Sequence, residues 1–244
     1  MFGKMSSFSG PISSTPARYV VTRGLRVHLD AGDSRSYPGT GTTWTDISGQ
    51  GVNFTLRNSP TYSSANGGIL TFNSGSYQYA DTATNLGDLN TFTIEAWMRW
   101  DGNPAAGTNA VITNLYDGVS KVNFALGAAA PLSSTVRAGF FDGAWRNVAT
   151  GHTPVLGNWV HYAGTYDGST VTLYVNVVTT YTLSYSGTPQ SGGAIRIARR
   201  WDDVDNVSTN FTHGAIPVVR IYDRGLSTAE VTQNFNAQRS RYGV

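Results

Sequence analysis

The stretch GAIPVVRIYDRGLSTAEVTQNFN, residues 214–236, decides the fold. Its first half alternates. Val219 and Ile221 fall on one side of an extended chain and Arg220 on the other, the period of a strand with one apolar face. Its second half changes period. Ser227-Thr228-Ala229-Glu230 is a capping box, in which the Ser227 hydroxyl accepts from a first-turn amide and Glu230 reaches back to the cap backbone. Leu226 and Val231 have the spacing of a hydrophobic staple, and Val231 and Phe235 stand i, i+4 apart. A strand running into a capped helix is therefore predicted. The helix is expected to end near Asn236 and to pack at the sandwich edge. Pro217 predicts an edge or a bulge within the strand, because proline has no amide to give to a ladder.

Outward from this stretch the chain reads as strands. Leu25, Val27 and Leu29 alternate with Arg26, His28 and Asp30. Phe92, Ile94, Ala96, Met98 and Trp100 alternate with Thr93, Glu95, Trp97 and Arg99. Val171, Leu173 and Val175 share one face, as do Ile195 and Ile197. Asp167-Gly168, between Trp159–Tyr166 and Thr170–Val175, is the strongest hairpin signal. Many short strands and one late helix predict an all-β antiparallel jelly-roll sandwich.

Composition narrows the function classes. Of 244 residues only 13% are charged, against 52 Ser and Thr and 28 Gly, so the surface is largely hydroxyl and amide. The 40% hydrophobic content and net charge of +2 exclude a disordered chain. That charge makes no electrostatic case for nucleic acid, and no apolar run is long enough for a membrane helix. With no cysteine, stability must come from the core. Residues 1–24 carry Lys4, Arg18 and Arg23 among Ser, Pro and Gly, with no acid before Asp30. They read as an extended basic arm, able to order against a partner, ahead of a domain spanning 25–244. Residues 1–10 lack the apolar core of a signal peptide, which predicts synthesis without secretory export.

Four stretches carry a family resemblance. They are LDAGDSRSYPGTGTTWTDISGQGVNFTL from Leu29, FTIEAWMRW from Phe92, NWVHYAGTYDGSTVTLYVN from Asn158, and the stretch from Gly214. In this order they resemble the concanavalin A-like, laminin G-like jelly rolls. The opening phrase looks like modules found in tailed-phage structural proteins and bacterial surface proteins. The resemblance implies the fold firmly and the role loosely, since function belongs to sites. Two departures stand out. Where the family often has an Asn-Gly turn, this chain has Asn176-Val177-Val178, and valine resists positive φ, so another turn geometry is expected. Where the family often places an acid after the glycine of the last strand, this chain has Ala215, so a metal or ligand contact from that position is lost.

Catalysis finds little support. Glucanases of this fold use two Glu carboxylates on one strand, one protonated and one ionised. Only Glu95 and Glu230 exist here, the first without an acid two or four residues on, the second committed to the cap. No G-x-S-x-G elbow occurs, and His28, His152, His161 and His213 are scattered. The protein is therefore expected not to be an enzyme. Binding candidates are better defined. Trp201, Asp202, Asp203 and Asp205 form a loop with hard oxygen donors and a ring able to stack on a sugar, without the spacing of a defined calcium loop. No cofactor is required, with calcium at that loop the one candidate. Asp46, Ser48 and Asn53 form a second oxygen cluster that reads equally as an Asx-type turn. Trp145, in the turn-rich segment from Phe141, is the aromatic best placed for exposure to a glycan or a neighbouring subunit. Arg18 and Arg23 are the arm's candidate docking residues.

These readings lead to a non-enzymatic virion structural protein, a phage capsid decoration or tail-associated component. Its partners would be a major capsid or tail protein, and symmetric, homo-oligomeric assembly is what a virion component implies, although no residue in the chain reads out an oligomeric state. The alternative is a carbohydrate-binding or adhesin module recognising cell-surface glycans, located on a virion or a bacterial surface.

Overall fold

A computed structural model describes residues 19–102, 108–115, 122–129, 135–149, 152–190, 193–199 and 211–244. The alternation seen in the sequence sorts the described strands into two facing antiparallel sheets. One sheet runs β14 (Thr179–Ser184), β13 (Thr170–Val175), β12 (Trp159–Tyr166), β7 (Phe92–Trp100), β16 (Gly214–Tyr222), β5 (Ile69–Phe72) and β4 (Thr61–Ser63). β1 (Leu25–Asp30) also pairs with β16. The other sheet runs β11 (Trp145–Ala149), β10 (Val136–Phe141), β9 (Val122–Ala129), β8 (Thr108–Leu115), β15 (Ile195–Ile197), β6 (Tyr79–Thr82), β3 (Phe54–Arg57) and β2 (Thr43–Trp44).

The core lies between them. Val27, Ile94, Met98, Trp100, Leu173 and Ile221 from the first sheet meet Trp44, Phe54, Phe124, Leu126, Phe140 and Ile197 from the second. Burial of these faces is the main favourable term in the fold. Small side chains let β10 and β12 come close across the core. A Cβ on Gly164 of β12 would stand 2.5 Å from the Ala138 Cβ on β10, so the glycine is sterically required.

Pro217 sits where β16 slips register against β7, between Ala215 and Val218. The bulge matches the expectation, and the Pro217 carbonyl accepts from the Ala31 amide at 2.8 Å. At the Asp167-Gly168 hairpin, Gly168 has φ +101°, and Asp167 Oδ1 accepts from the Ser169 and Thr170 amides at 2.8 Å each. The β13–β14 turn departs from expectation. Asn176 and Val177 both take positive φ, +50° and +61°. Asn176 is locked to β12, where its Oδ1 accepts from the His161 amide at 2.8 Å and its own amide donates to the His161 carbonyl. The Val177 side chain packs against the clusters of Tyr174 and Trp97, which offsets the strain of a left-handed β-branched residue.

The helix α1 (Thr228–Tyr242) carries the expected capping box at Ser227. It corrects two other expectations. It runs past Asn236 to Tyr242, where Gly243 at φ +70° ends it, and it lies over the outer face of the first sheet instead of at the sandwich edge. The last turns lack an apolar stripe because polar side chains stitch them down. Gln238 Nε2 donates to Asp30 Oδ2 at 2.8 Å, Arg241 Nη1 pairs with Asp30 Oδ1 at 2.6 Å, and Arg241 Nε and Nη2 donate to the Asn66 and Gly68 carbonyls. Tyr242 stacks on Trp97 with centroids 4.3 Å apart, and Phe235 stacks on the same indole at 5.6 Å. Trp97, on the outward side of β7, therefore belongs to a second small core beneath α1.

Candidate functional site

The two outer faces of the sandwich are chemically unlike. Beneath α1, Glu95, His161, Arg220 and Asn234 are all fully buried. Arg220 Nη1 pairs with Glu95 Oε1 at 2.6 Å, and Asn234 Nδ2 donates to both Glu95 oxygens at 3.1 and 3.2 Å. His161 Nε2 stands 3.6 Å from Glu95 Oε2. Burial alone would push the Glu95 carboxyl up. The neighbouring His161 and the Arg220 guanidinium more than reverse this and hold it at about 2. A buried, permanently ionised carboxylate with its oxygens engaged is a structural group. Glu230 is likewise held at about 2, mainly by hydrogen bonding to Arg224, with further bonds from the Ser227 cap. Neither of the two Glu residues is a protonated acid at neutral pH.

The N-terminal residues enter this network. The Val21 amide donates to Asn234 Oδ1 at 2.7 Å, the Tyr222 hydroxyl donates to the Val21 carbonyl at 3.0 Å, and Gln233 donates to the Tyr19 carbonyl at 2.9 Å. Val21 is buried against Leu226 and Val231, while Arg23 is exposed and lends its carbonyl to Arg224. Arg18 lies outside the described residues.

The outer face of the second sheet is covered by no described helix or strand, and we call it the open sheet. Register aligns Asp81, Arg196, Thr113, Ala125, Gly139 and Asn147 in one row across it. Ala125, Gly127 and Gly139 leave its middle without bulky side chains. Gly139 must be glycine, because a Cβ there would overlap the Arg146 carbonyl and the Asn147 backbone. On one side of this floor stands Trp145, 37% exposed, opposite Phe141 in register. Their rings meet edge to face with centroids 6.0 Å apart. Asn147 follows on the same face, half-buried, and Arg137 is exposed two positions along β10 from Gly139.

The sequence candidates are thus separated. Trp145 is where an exposed aromatic was expected, as the first residue of β11 instead of part of a turn. Trp201, Asp202, Asp203 and Asp205 lie outside the described residues. Of the flanking residues, Arg199 and Phe211 form a bridge, and Arg199 stacks over Tyr79 and Phe211 at 4.8 and 5.2 Å. Among the described residues no cluster of three His, Cys, Asp or Glu could hold a metal ion. Asp46 is a turn residue and not a free oxygen site, since its carboxylate accepts from the amides of His28, Ser48 and Val52 and from the Ser48 hydroxyl. Sequence reading missed Phe141 and Asn147 beside Trp145, and Arg137 farther along the same face. The period-2 pattern of Val136–Phe141 could have placed Arg137 and Phe141 on one face.

A family model described as the concanavalin A-like lectin/glucanases superfamily matches residues 73–232. The chain belongs to this superfamily. No curated protein matched by sequence. Among solved structures this lectin/glucanase-like sandwich is similar to domain 4 of AbnA, a GH43 extracellular arabinanase from Geobacillus stearothermophilus, in complex with arabinotriose. The TM-score is 0.65 at 16% identity, over 86% of this chain and 97% of that one. It is also similar to the Trypanosoma rangeli sialidase (TM-score 0.65, 16% identity, 91% of this chain and 34% of that one). A third likeness is to the botulinum neurotoxin type G receptor binding domain (TM-score 0.65, 12% identity, 88% and 51%). The chain spans about a third of the sialidase and half of the neurotoxin domain. At these identities the likeness is one of fold.

Proposed function

We propose that this protein is a non-catalytic carbohydrate-binding module whose ligand lies on the open sheet. The observation that carries the reading is Trp145: a large aromatic exposed at the border of a floor of small residues, braced edge-on by Phe141. A sugar ring presents an apolar face that such an indole covers, and the Asn147 amide beside it offers both donor and acceptor. Structures of the same fold in complex with arabinotriose and, in a longer sialidase chain, with sialic acid support the reading by analogy. The state of Glu95 and Glu230 supports binding without turnover.

The test is calorimetric titration with a panel of oligosaccharides. Saturable binding is expected, with Trp145→Ala weakening it about tenfold or more at an unchanged melting temperature. No release of reducing sugar is expected from any panel member. Binding that survives Trp145→Ala would remove the site, and turnover would remove the non-catalytic reading.

A second reading concerns mounting, and one observation favours it. The chain enters the described structure at Tyr19 beside α1, on the side of the sandwich away from the open sheet. A basic segment joined there would leave the open sheet facing outward, as suits a module displayed on a phage particle or another surface. Co-sedimentation of the full chain with purified particles, lost on deletion of residues 1–18, is the expected result. Retention after that deletion would contradict docking through the arm.

A further inference from the structure

We infer that the ligand of the open sheet is an acidic oligosaccharide, with Arg137 receiving a sugar carboxylate. The inference rests on the reading of this sheet as a glycan face and adds the ligand's charge. The described outward side chains of the face include three guanidiniums, Arg57, Arg137 and Arg196, and one carboxylate, Asp81. Asp81 is already engaged: its Oδ1 accepts from Arg57 Nε at 2.8 Å, and it stands opposite Arg196 in register. Among the described residues no carboxylate pairs with Arg137. Its register partners are Gly127 on β9 and Ala149 on β11, neither of which carries charge, and its side chain is exposed.

The positions suit a ligand lying along β10. Arg137 and Phe141 are four residues apart on one face, about 13 Å at the rise of an extended strand. Between them lies Gly139, with Asn147 beside it. An oligosaccharide of a few rings, stacked on Trp145 and Phe141 at one end, would pass over Gly139 within reach of the Asn147 amide. It would bring a ring carboxylate to Arg137 at the other end. A guanidinium accepts a carboxylate in bidentate geometry, which a neutral hydroxyl cannot reproduce.

The experiment uses the full chain and matched pairs of oligosaccharides: galacturonate, mannuronate and sialylated oligomers, each with its methyl ester, plus neutral oligomers and a short oligothymidylate. At least one acid is expected to bind about fivefold or more tighter than its own ester. That preference should shrink as salt is raised and vanish in Arg137→Gln, with the wild-type melting temperature retained. Equal affinity for acid and ester across the panel, or for neutral oligomers alone, would overturn the inference and leave the glycan reading standing. Oligothymidylate bound as tightly as the best acid would overturn it in favour of general anion binding. No binding by any oligosaccharide would overturn both.

Discussion

Arg220 and Glu95 are register partners on adjacent central strands, and their charged atoms meet at 2.6 Å with both side chains removed from solvent. Asn234 of α1 completes the carboxylate's bonds, and Gln238 Oε1 accepts from Arg220 Nη2 at 2.5 Å. The pair therefore joins the sheet to the helix that covers it. Such a pair is a weak source of net stability when intact and a large liability when half removed, because the surviving charge is stranded without solvent.

Arg220→Met should destabilise the protein by about 3–5 kcal/mol, since Glu95 loses its guanidinium inside the fold. The double change Glu95→Leu with Arg220→Met should cost clearly less than Arg220→Met alone. Urea unfolding midpoints for the two variants check this. A double variant as unstable as the single one would show that the groups do not act as a pair.

Stability should fall with acid in two stages. Burial, aided by Arg220, lowers His28 to about 3 from 6.5, so the unfolded chain takes up a proton there that the folded chain refuses. That contribution is complete above pH 6.5 and is lost as pH drops towards 3. Glu95, held at about 2 against 4.5 unfolded, contributes on the order of 3 kcal/mol above pH 4.5, lost as pH falls through 2. Melting temperature measured between pH 7 and 5 should therefore decline in the wild type and decline less steeply in His28→Gln. An unchanged slope in that variant would exclude His28 as the source.

Gly164→Ala should cost about 1–3 kcal/mol, because the new methyl meets the Ala138 Cβ on the facing sheet. Adding Ala138→Gly should restore most of that loss. Differential scanning calorimetry of the three variants distinguishes this contact from a general sensitivity of β12.

Much of this was legible in the chain, for reasons that differ by residue. Ser227 and Glu230 announced the helix start because a cap is a local bond pattern. The helix end was not legible, because Gln238, Arg241 and Tyr242 are held by Asp30, Asn66, Gly68 and Trp97, all distant in sequence. Val177 misled because a local steric rule was outweighed by packing under α1. Glu95 was expected to be structural, from its place in a strand shared with the family and the lack of an acid two or four residues on; its buried partners were not legible. At the candidate site, Trp145 was legible as an aromatic beside turn residues. Asn147 beside it, and Arg137 farther along the same face, follow only from the register of β10 and β11.

The central claim is that sugar rests on Trp145. It is tested most directly by following the indole N–H resonances of the six tryptophans during titration with the best-binding oligosaccharide, assigned by single Trp→Phe variants. The account predicts a saturable shift at Trp145, with the fully buried Trp44, Trp97 and Trp100 unmoved. A shift confined to Trp201 with Trp145 unmoved would contradict it and move the site to the 200–210 loop.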